Sequence, residues 1–260
     1  MTVDHDRTAM RRRSRSGQVP TIGLLHGFAG DPSAWDEVIA AWPTPARGAR
    51  GGVDARAIAL PGHGAGPVRP TWDENLEVVA AETARCEIVV GYSLGARVAL
   101  GLVASGRCSR AILIGVNPGI AAAGDAERAA RRAADAIWAT LLRERGTAAF
   151  ADAWVAQPLF ATQARVAPAK LAARRAHRLR HDPEQLARSL EVMGLAGMPD
   201  YAAALHAPGV ALVAGADDAR YLAIARAHGV PIHAIAQSGH DPTLEQPAAL
   251  AAQLANLTRS

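Results

Sequence analysis

The stretch Cys86–Ala104, CEIVVGYSLGARVALGLVA, decides how the chain is read. Ile88-Val89-Val90 is a short apolar, β-branched run, the pattern of a strand buried on both faces. Gly91-Tyr92-Ser93-Leu94-Gly95 follows, and then an almost wholly apolar segment long enough to form a helix. A G-x-S-x-G between a strand and a helix is a nucleophile elbow. The turn is so tight that it needs small residues two before and two after the serine, and Gly91 and Gly95 supply them. It holds Ser93 in a strained conformation with its hydroxyl exposed above the sheet. The helix behind it points its N-terminus, and the free N–H of Leu94, at any oxyanion formed there.

Upstream, Val19–Leu25 reads as a strand running into His26-Gly27-Phe28-Ala29-Gly30. A loop of this kind after an early strand carries the second oxyanion donor, here the backbone N–H of Phe28, with His26 shaping the loop. Asp31 can cap a helix reaching Ala40, with Pro32 at its first position. Val53–Leu60 reads as a strand leading into Pro61-Gly62-His63-Gly64, and Trp72–Arg85 has helical spacing. Downstream, Arg110–Val116 is another apolar strand, closed by Asn117-Pro118-Gly119. From Ile120 to about His206 no strand-like run occurs. Alanine-, arginine- and leucine-rich helices are broken instead at Gly146, Pro158, Pro168, Pro183 and Pro199. Alternation resumes with strand Val210–Ala214, helix Tyr221–Ala227, strand Val230–Ala236 and a closing helix Pro247–Leu257.

Strands alternating with helices predict an α/β fold, a mostly parallel sheet with helices on both faces. The α/β core is expected over 19–118 and 207–260, with a helical lid inserted over 119–206. Active sites in such sheets lie beyond the carboxyl ends of the strands. Residues 1–18 read as a disordered basic tail, too polar to supply the two extra strands with which fuller versions of this sheet begin.

The 260 residues carry a net charge of +4, nearly all the positive charge being arginine. No basic stripe with interleaved aromatics accompanies it, so nucleic-acid binding is not expected. Arginines facing a small anionic substrate fit better. Cys86 and Cys108 precede two strands that could be neighbours. A bond between them is conceivable, and two reduced thiols in a cytoplasmic protein are the preferred reading. No run is suited to crossing a membrane or to a secretion signal.

A serine hydroxyl becomes reactive when a histidine takes its proton and an acid orients that histidine. In this fold the chain order is serine, acid, histidine, each at a strand end. Gly239-His240 after the last strand offers the histidine. Asp217 and Asp218 both follow the preceding strand. A glycine-two-residues-acid spacing from Gly215 favours Asp218 and leaves Asp217 to cap the next helix. Asp241 reads as a surface or capping residue.

Arg97 lies one turn past Ser93 on a helix that is otherwise apolar. An unpaired buried guanidinium costs several kcal/mol, so Arg97 requires an anion. Either a structural carboxylate or a substrate carboxylate beside the serine would serve.

From about Gly23 to Pro247 the chain resembles the 2-succinyl-6-hydroxy-2,4-cyclohexadiene-1-carboxylate (SHCHC) synthase family, α/β-hydrolase-fold lyases of menaquinone biosynthesis. The shared stretches are Leu25-His26-Gly27-Phe28, Leu60-Pro61-Gly62-His63-Gly64, Gly91 to Arg97, and Asn117-Pro118-Gly119-Ile120. In the lid they are Arg131 with Asp135, Trp154 to Phe160, Arg178, and 189–199. They finish with Gly215 to Tyr221 and Gly239-His240 to Pro247. The elbow arginine and the W-x-x-Q-P-x-F lid stretch discriminate most. Thr243 and Ala96 depart from the pattern, standing where a second histidine and a glycine are usual.

The resemblance implies a substrate with several carboxylates held by Arg97, Arg131 and Arg178 in a pocket lined by Tyr92 and Trp154. It implies elimination of pyruvate, with Ser93 acting as a base toward the substrate ring and His240 oriented by Asp218. No metal or organic cofactor is expected. The oligomeric state is left open. A serine hydrolase acting on esters, thioesters or C–C bonds is the alternative, since it uses the same groups. A binding protein that retains the scaffold is a third reading, which the intact Ser93, Asp218 and His240 disfavour.

Overall fold

The computed structural model describes residues 21–43, 54–64, 66–121 and 124–259. The tail expected over 1–18 and most of the loop before the second strand lie outside them. Six strands run in order: β1 (Thr21–Leu25), β2 (Asp54–Ile58), β3 (Ile88–Tyr92), β4 (Ala111–Ile114), β5 (Val210–Gly215) and β6 (Ile232–Ile235). They form one sheet in the order β2-β1-β3-β4-β5-β6, and every neighbouring pair is parallel. Parallel neighbours require crossovers, which place helices on both faces.

The period-2 pattern of the buried strands decides which helix each residue meets. Ile88, Val90 and Tyr92 face a core shared with Trp35, Val38 of α1 (Asp36–Ala40) and Leu250 and Leu254 of α9 (Pro247–Arg259). Val89 points the other way, toward Leu76 and Val79 of α2 (Trp72–Thr83) and Ala99 and Leu102 of α3 (Leu94–Ala104). The expected helix over 31–40 starts as a 3-10 turn, Pro32–Trp35. Asp31 caps it by accepting from the Ser33 N–H at 2.9 Å.

Between β4 and β5 the described chain is helical. It comprises α4 (Asp125–Val155), a 3-10 segment Pro158–Arg165, α5 (Pro168–Arg178), α6 (Pro183–Val192) and a 3-10 turn Ala202–His206. Gly146 breaks α4 with φ 73° and ψ 179°. Leu142 and Phe150 of α4 pack with Leu186 and Leu190 of α6 over Ala29 and Phe28, so this layer rests on the loop after β1. His177 reaches Asp31 at 2.8 Å and ties α5 to the core. Among the described residues no helix is long and apolar enough to cross a membrane, and Cys86 and Cys108 are free.

β2 ends two residues earlier than the apolar pattern predicts, because Leu60 turns its N–H away from the ladder. That N–H donates to His26 Nε2 at 3.1 Å, while His26 Nδ1 donates to the Gly27 carbonyl at 2.8 Å. Both contacts need the neutral imidazole, and burial lowers the His26 pKa from 6.5 to about 4. His63, buried with its ring centroid 5.2 Å from that of His26, is also held low by burial.

A depressed histidine pKa stabilises the fold fully above the unfolded value, and that stability is lost as the pH falls toward the folded one. Urea unfolding should therefore give constant stability above about pH 6.5 and a decline toward about pH 4, with His26 alone contributing about 3 kcal/mol. The His26→Gln variant should be less stable at pH 7.5 and lose less on acidification. A wild-type curve that is flat across this window would contradict the account.

Candidate active site

Ser93, Asp218 and His240 each follow the carboxyl end of a strand, β3, β5 and β6, and the helical layer covers them. Ser93 follows β3 at φ 53° and ψ −107°, a region non-glycine residues occupy only under constraint. The constraint is steric. A Cβ on Gly91 would lie 2.2 Å from the Gly95 carbonyl oxygen, and one on Gly95 would lie 2.3 Å from that of Leu25.

Ser93 Oγ is 3.2 Å from His240 Nε2, and His240 Nδ1 is 2.9 Å from Asp218 Oδ2. His240 and Asp218 are both buried. The Asp218 carboxylate also accepts from the Tyr221 N–H at 3.3 Å, capping α7 (Ala219–Ala227). The Tyr221 ring stacks on the imidazole at 4.6 Å and 20°, and Tyr92 approaches it at 5.3 Å. These contacts fix the plane of the ring.

The two adjacent acids separate cleanly. Asp218 faces inward to His240 and is also the residue that caps α7. The capping role expected of Asp217 is therefore corrected: Asp217 is exposed and pairs with Arg165 at 2.6 Å. Asp241 caps the short helix α8 (Pro242–Glu245) through the Leu244 N–H and is buried rather than on the surface.

The N–H of Gly95 donates to the His26 carbonyl at 3.1 Å, and that of Gly30 to the Gly27 carbonyl at 3.0 Å. Those bonds shape the loop and leave Phe28 and Leu94 aside. Neither of their N–H groups is taken by a backbone carbonyl among the described residues.

Two clefts meet at Ser93. One, of about 200 Å³, is lined by Leu94, Arg97, Arg131, Asp135, Trp154 and Arg220 among others. Arg97 Nη1 donates to the Met193 carbonyl at 2.8 Å, and no ion pair to a carboxylate forms among the described residues. The structural-carboxylate reading of Arg97 therefore falls. A carbonyl supplies a hydrogen bond but no counter-charge, and burial, followed by the nearby charge of Arg131, pulls the Arg97 pKa down to about 10. Arg131 is itself paired with Asp135 at 2.9 Å, one turn along α4.

The second cleft, of about 40 Å³, is lined by Gly27, Tyr92, Ser93, His240, Arg174 and Arg178 among others. Arg178 is buried, makes no ion pair among the described residues, and its Nε has no hydrogen-bond partner there. Burial and the charge of Arg174 lower its pKa. The structure thus brings Arg97 and Arg131 to one cleft and places Arg178 in the other, both clefts meeting at Ser93. Trp154 lines both clefts, packed against Phe28 at 5.2 Å and Trp138 at 5.1 Å. Tyr92 is buried beneath Gly27, where a Cβ would meet its ring at 2.8 Å, and burial pushes its hydroxyl pKa well up.

Arg174, Arg220 and Tyr221 also line or brace the site and escaped the sequence reading. Their only sequence signals are weak ones. Arg174 stands one helical turn before Arg178, and Arg220-Tyr221 falls in the first turn after the acid. Among the described residues, no group of three or more His, Cys, Asp or Glu side chains could hold a metal ion.

An alpha/beta hydrolase family model matches residues 24–253. The SHCHC synthase of Klebsiella pneumoniae (strain 342) is 34% identical over 253 residues, covering 93% of this chain and 94% of its own. The SHCHC synthase of Escherichia coli O139:H28 is 32% identical over 252 residues with the same coverage of 93% and 94%. Among solved structures, MenH from S. aureus superposes with a TM-score of 0.81 at 23% identity, over 95% of both chains. An enol-lactonase from Burkholderia xenovorans gives 0.74 at 21% identity, over 95% of this chain and 94% of its own. At such identities the solved structures speak for the fold, while the curated relatives carry the family. The chain is an enzyme of the α/β-hydrolase superfamily and belongs, within it, to the SHCHC synthase family.

Proposed function

We propose that this enzyme acts in menaquinone biosynthesis, eliminating pyruvate from 2-succinyl-5-enolpyruvyl-6-hydroxy-3-cyclohexene-1-carboxylate to give SHCHC. The observation that carries the reading is the pair of guanidiniums, partly buried Arg97 and buried Arg178, that lack ion-pair partners among the described residues and line the two clefts meeting at Ser93. A substrate with several separated carboxylates would satisfy both, and the planar guanidinium fork suits each of them. The relatives at 32–34% identity are SHCHC synthases, which supports the substrate.

In this mechanism His240, oriented by Asp218, draws the proton from Ser93 Oγ. The serine oxygen then removes a proton from the substrate ring. Charge passes into the conjugated system and collects on a substrate oxygen, where the N–H groups of Phe28 and Leu94 meet it. The ring–oxygen bond to the enolpyruvyl group breaks and its electrons leave on the enolate of pyruvate, which takes the proton held on His240 to become pyruvate, while Ser93 keeps the ring proton and the cyclohexadiene forms. Arg97 and Arg131 hold one end of the substrate and Arg178 the other, so the reacting carbon stays above Ser93. Protein side chains and backbone suffice for every step. A cytoplasmic location is part of the same proposal.

Supplying the enolpyruvyl precursor should give fast pyruvate release that Ser93→Ala lowers by at least about 10³-fold. Absence of release, with turnover of aryl esters or thioesters, would favour the serine hydrolase instead. Among the acids, Asp218→Asn should lower kcat by about 10³- to 10⁴-fold, because the imidazole loses its orienting acceptor, and Asp217→Asn should stay near wild type. The reverse order would overturn the assignment. Arg97→Ala should cost about 10²-fold in kcat/KM, the worth of a charged hydrogen bond of about 3 kcal/mol, and Arg97→Lys should recover only part. Unchanged kinetics in Arg97→Ala would remove Arg97 from substrate binding.

A further inference from the structure

A groove of about 410 Å³ opens within the helical layer, between the end of α4, the 3-10 segment 158–165 and α5. Ala151, Val155, Phe160, Ala164, Leu171 and Ala172 form its apolar walls. Its polar end is made by Gln163, Arg174 and Arg178, and Arg175 stands at the exposed side, paired with Asp152 at 2.7 Å. Neither Ser93 nor His240 lines it. Phe160, Arg174 and Arg178 do double duty, facing the small cleft at Ser93 as well, so they form the partition between the two spaces.

Two buried polar atoms in the groove lining are unsatisfied among the described residues: Arg178 Nε and Gln163 Nε2. Their residues are each only 6% exposed. Buried donors of this kind cost free energy unless something accepts from them. Among the described residues no acidic side chain lines the groove. Arg174 is the residue that contacts Asp241, at 3.6 Å. A guanidinium carries five N–H donors, enough to serve an anion on each of its two sides.

We propose that this groove is a second ligand site, and that its occupant is a medium-chain aliphatic carboxylate. The head group accepts from Arg178 and Gln163, and the chain lies along the wall of alanines, Val155 and Leu171. Charge selects the carboxylate, because cationic and amide donors converge with no acid among them. Shape selects an alkyl chain, because small aliphatic side chains leave a slot in which Phe160 is the only aromatic ring. Val155, 38% exposed, is among the few large apolar side chains that the fold leaves in water. An alkyl chain would cover it.

The test is calorimetric titration of the full-length protein with decanoate, a readout independent of the proposed elimination. Ala172→Trp and Ala164→Trp fill the slot from two different elements, α5 and the 3-10 segment. Both alanines are exposed, so neither change disturbs core packing. Decanoate should bind at one site per chain. Each tryptophan variant should weaken it at least tenfold, and decan-1-ol should bind at least tenfold more weakly than decanoate. No binding of decanoate at millimolar concentration would overturn the proposal. So would wild-type affinity in both folded variants, or equal binding of the alcohol.

Discussion

The site depends on one close approach, the backbone of Gly95 against the end of β1. The Gly95 N–H donates to the His26 carbonyl at 3.1 Å, and the space a Cβ would need is filled by the Leu25 carbonyl, 2.3 Å away. That contact locks the start of α3 to the loop after β1. Two chain segments far apart in sequence are thereby brought together, and Phe28 and Leu94 line one cleft with Ser93. The same crowding forces Ser93 into positive φ and lifts its hydroxyl toward His240. The buried neutral His26 completes the brace by tying that loop to Leu60 beyond β2. Backbone geometry, more than any side-chain contact, builds the reactive centre.

Charge is distributed unevenly around that centre. On the exposed face of the helical layer Arg143 and Arg175 are matched: Arg143 pairs with Glu184 at 2.7 Å and Arg175 with Asp152 at 2.7 Å. Such pairs are worth little individually. Toward Ser93 the matching is only partial, with Arg174 approaching Asp241 at 3.6 Å. Arg97 has a carbonyl, Arg178 has an unsatisfied Nε, and Asp135 is already held by Arg131. Desolvated cations without counter-charges weaken the empty fold, and an incoming anion recovers that cost. In the proposed reaction, that recovery favours a polycarboxylate over the neutral esters that the same serine could otherwise attack.

The elbow was legible because its demands are local: two glycines, a strand before and a helix after. The α/β class was legible for a similar reason, since the buried strands are short continuous apolar runs separated by helical spacing. The pairing of Asp218 with His240 was half legible. Strand-end position offered two adjacent aspartates and the spacing from Gly215 favoured Asp218; the path of the chain into α7 turns that one inward and leaves Asp217 to Arg165, a partner the sequence did not announce. Long-range partners left no trace. Nothing near Arg97 in sequence announces the Met193 carbonyl, and nothing near Asp31 announces His177. Arginine composition also says nothing about which guanidiniums are buried, so the separation of Arg178 from Arg97 and Arg131 emerges only in three dimensions.

The central claim is that Ser93 serves as a base and never carries the substrate covalently. Intact-protein mass spectrometry, on enzyme quenched at intervals while pyruvate is released, tests it most directly. The account predicts the mass of the unmodified chain at every interval, from the first turnover to the last. A transient adduct that maps to Ser93, rising and falling with turnover, would contradict it and make the serine a nucleophile.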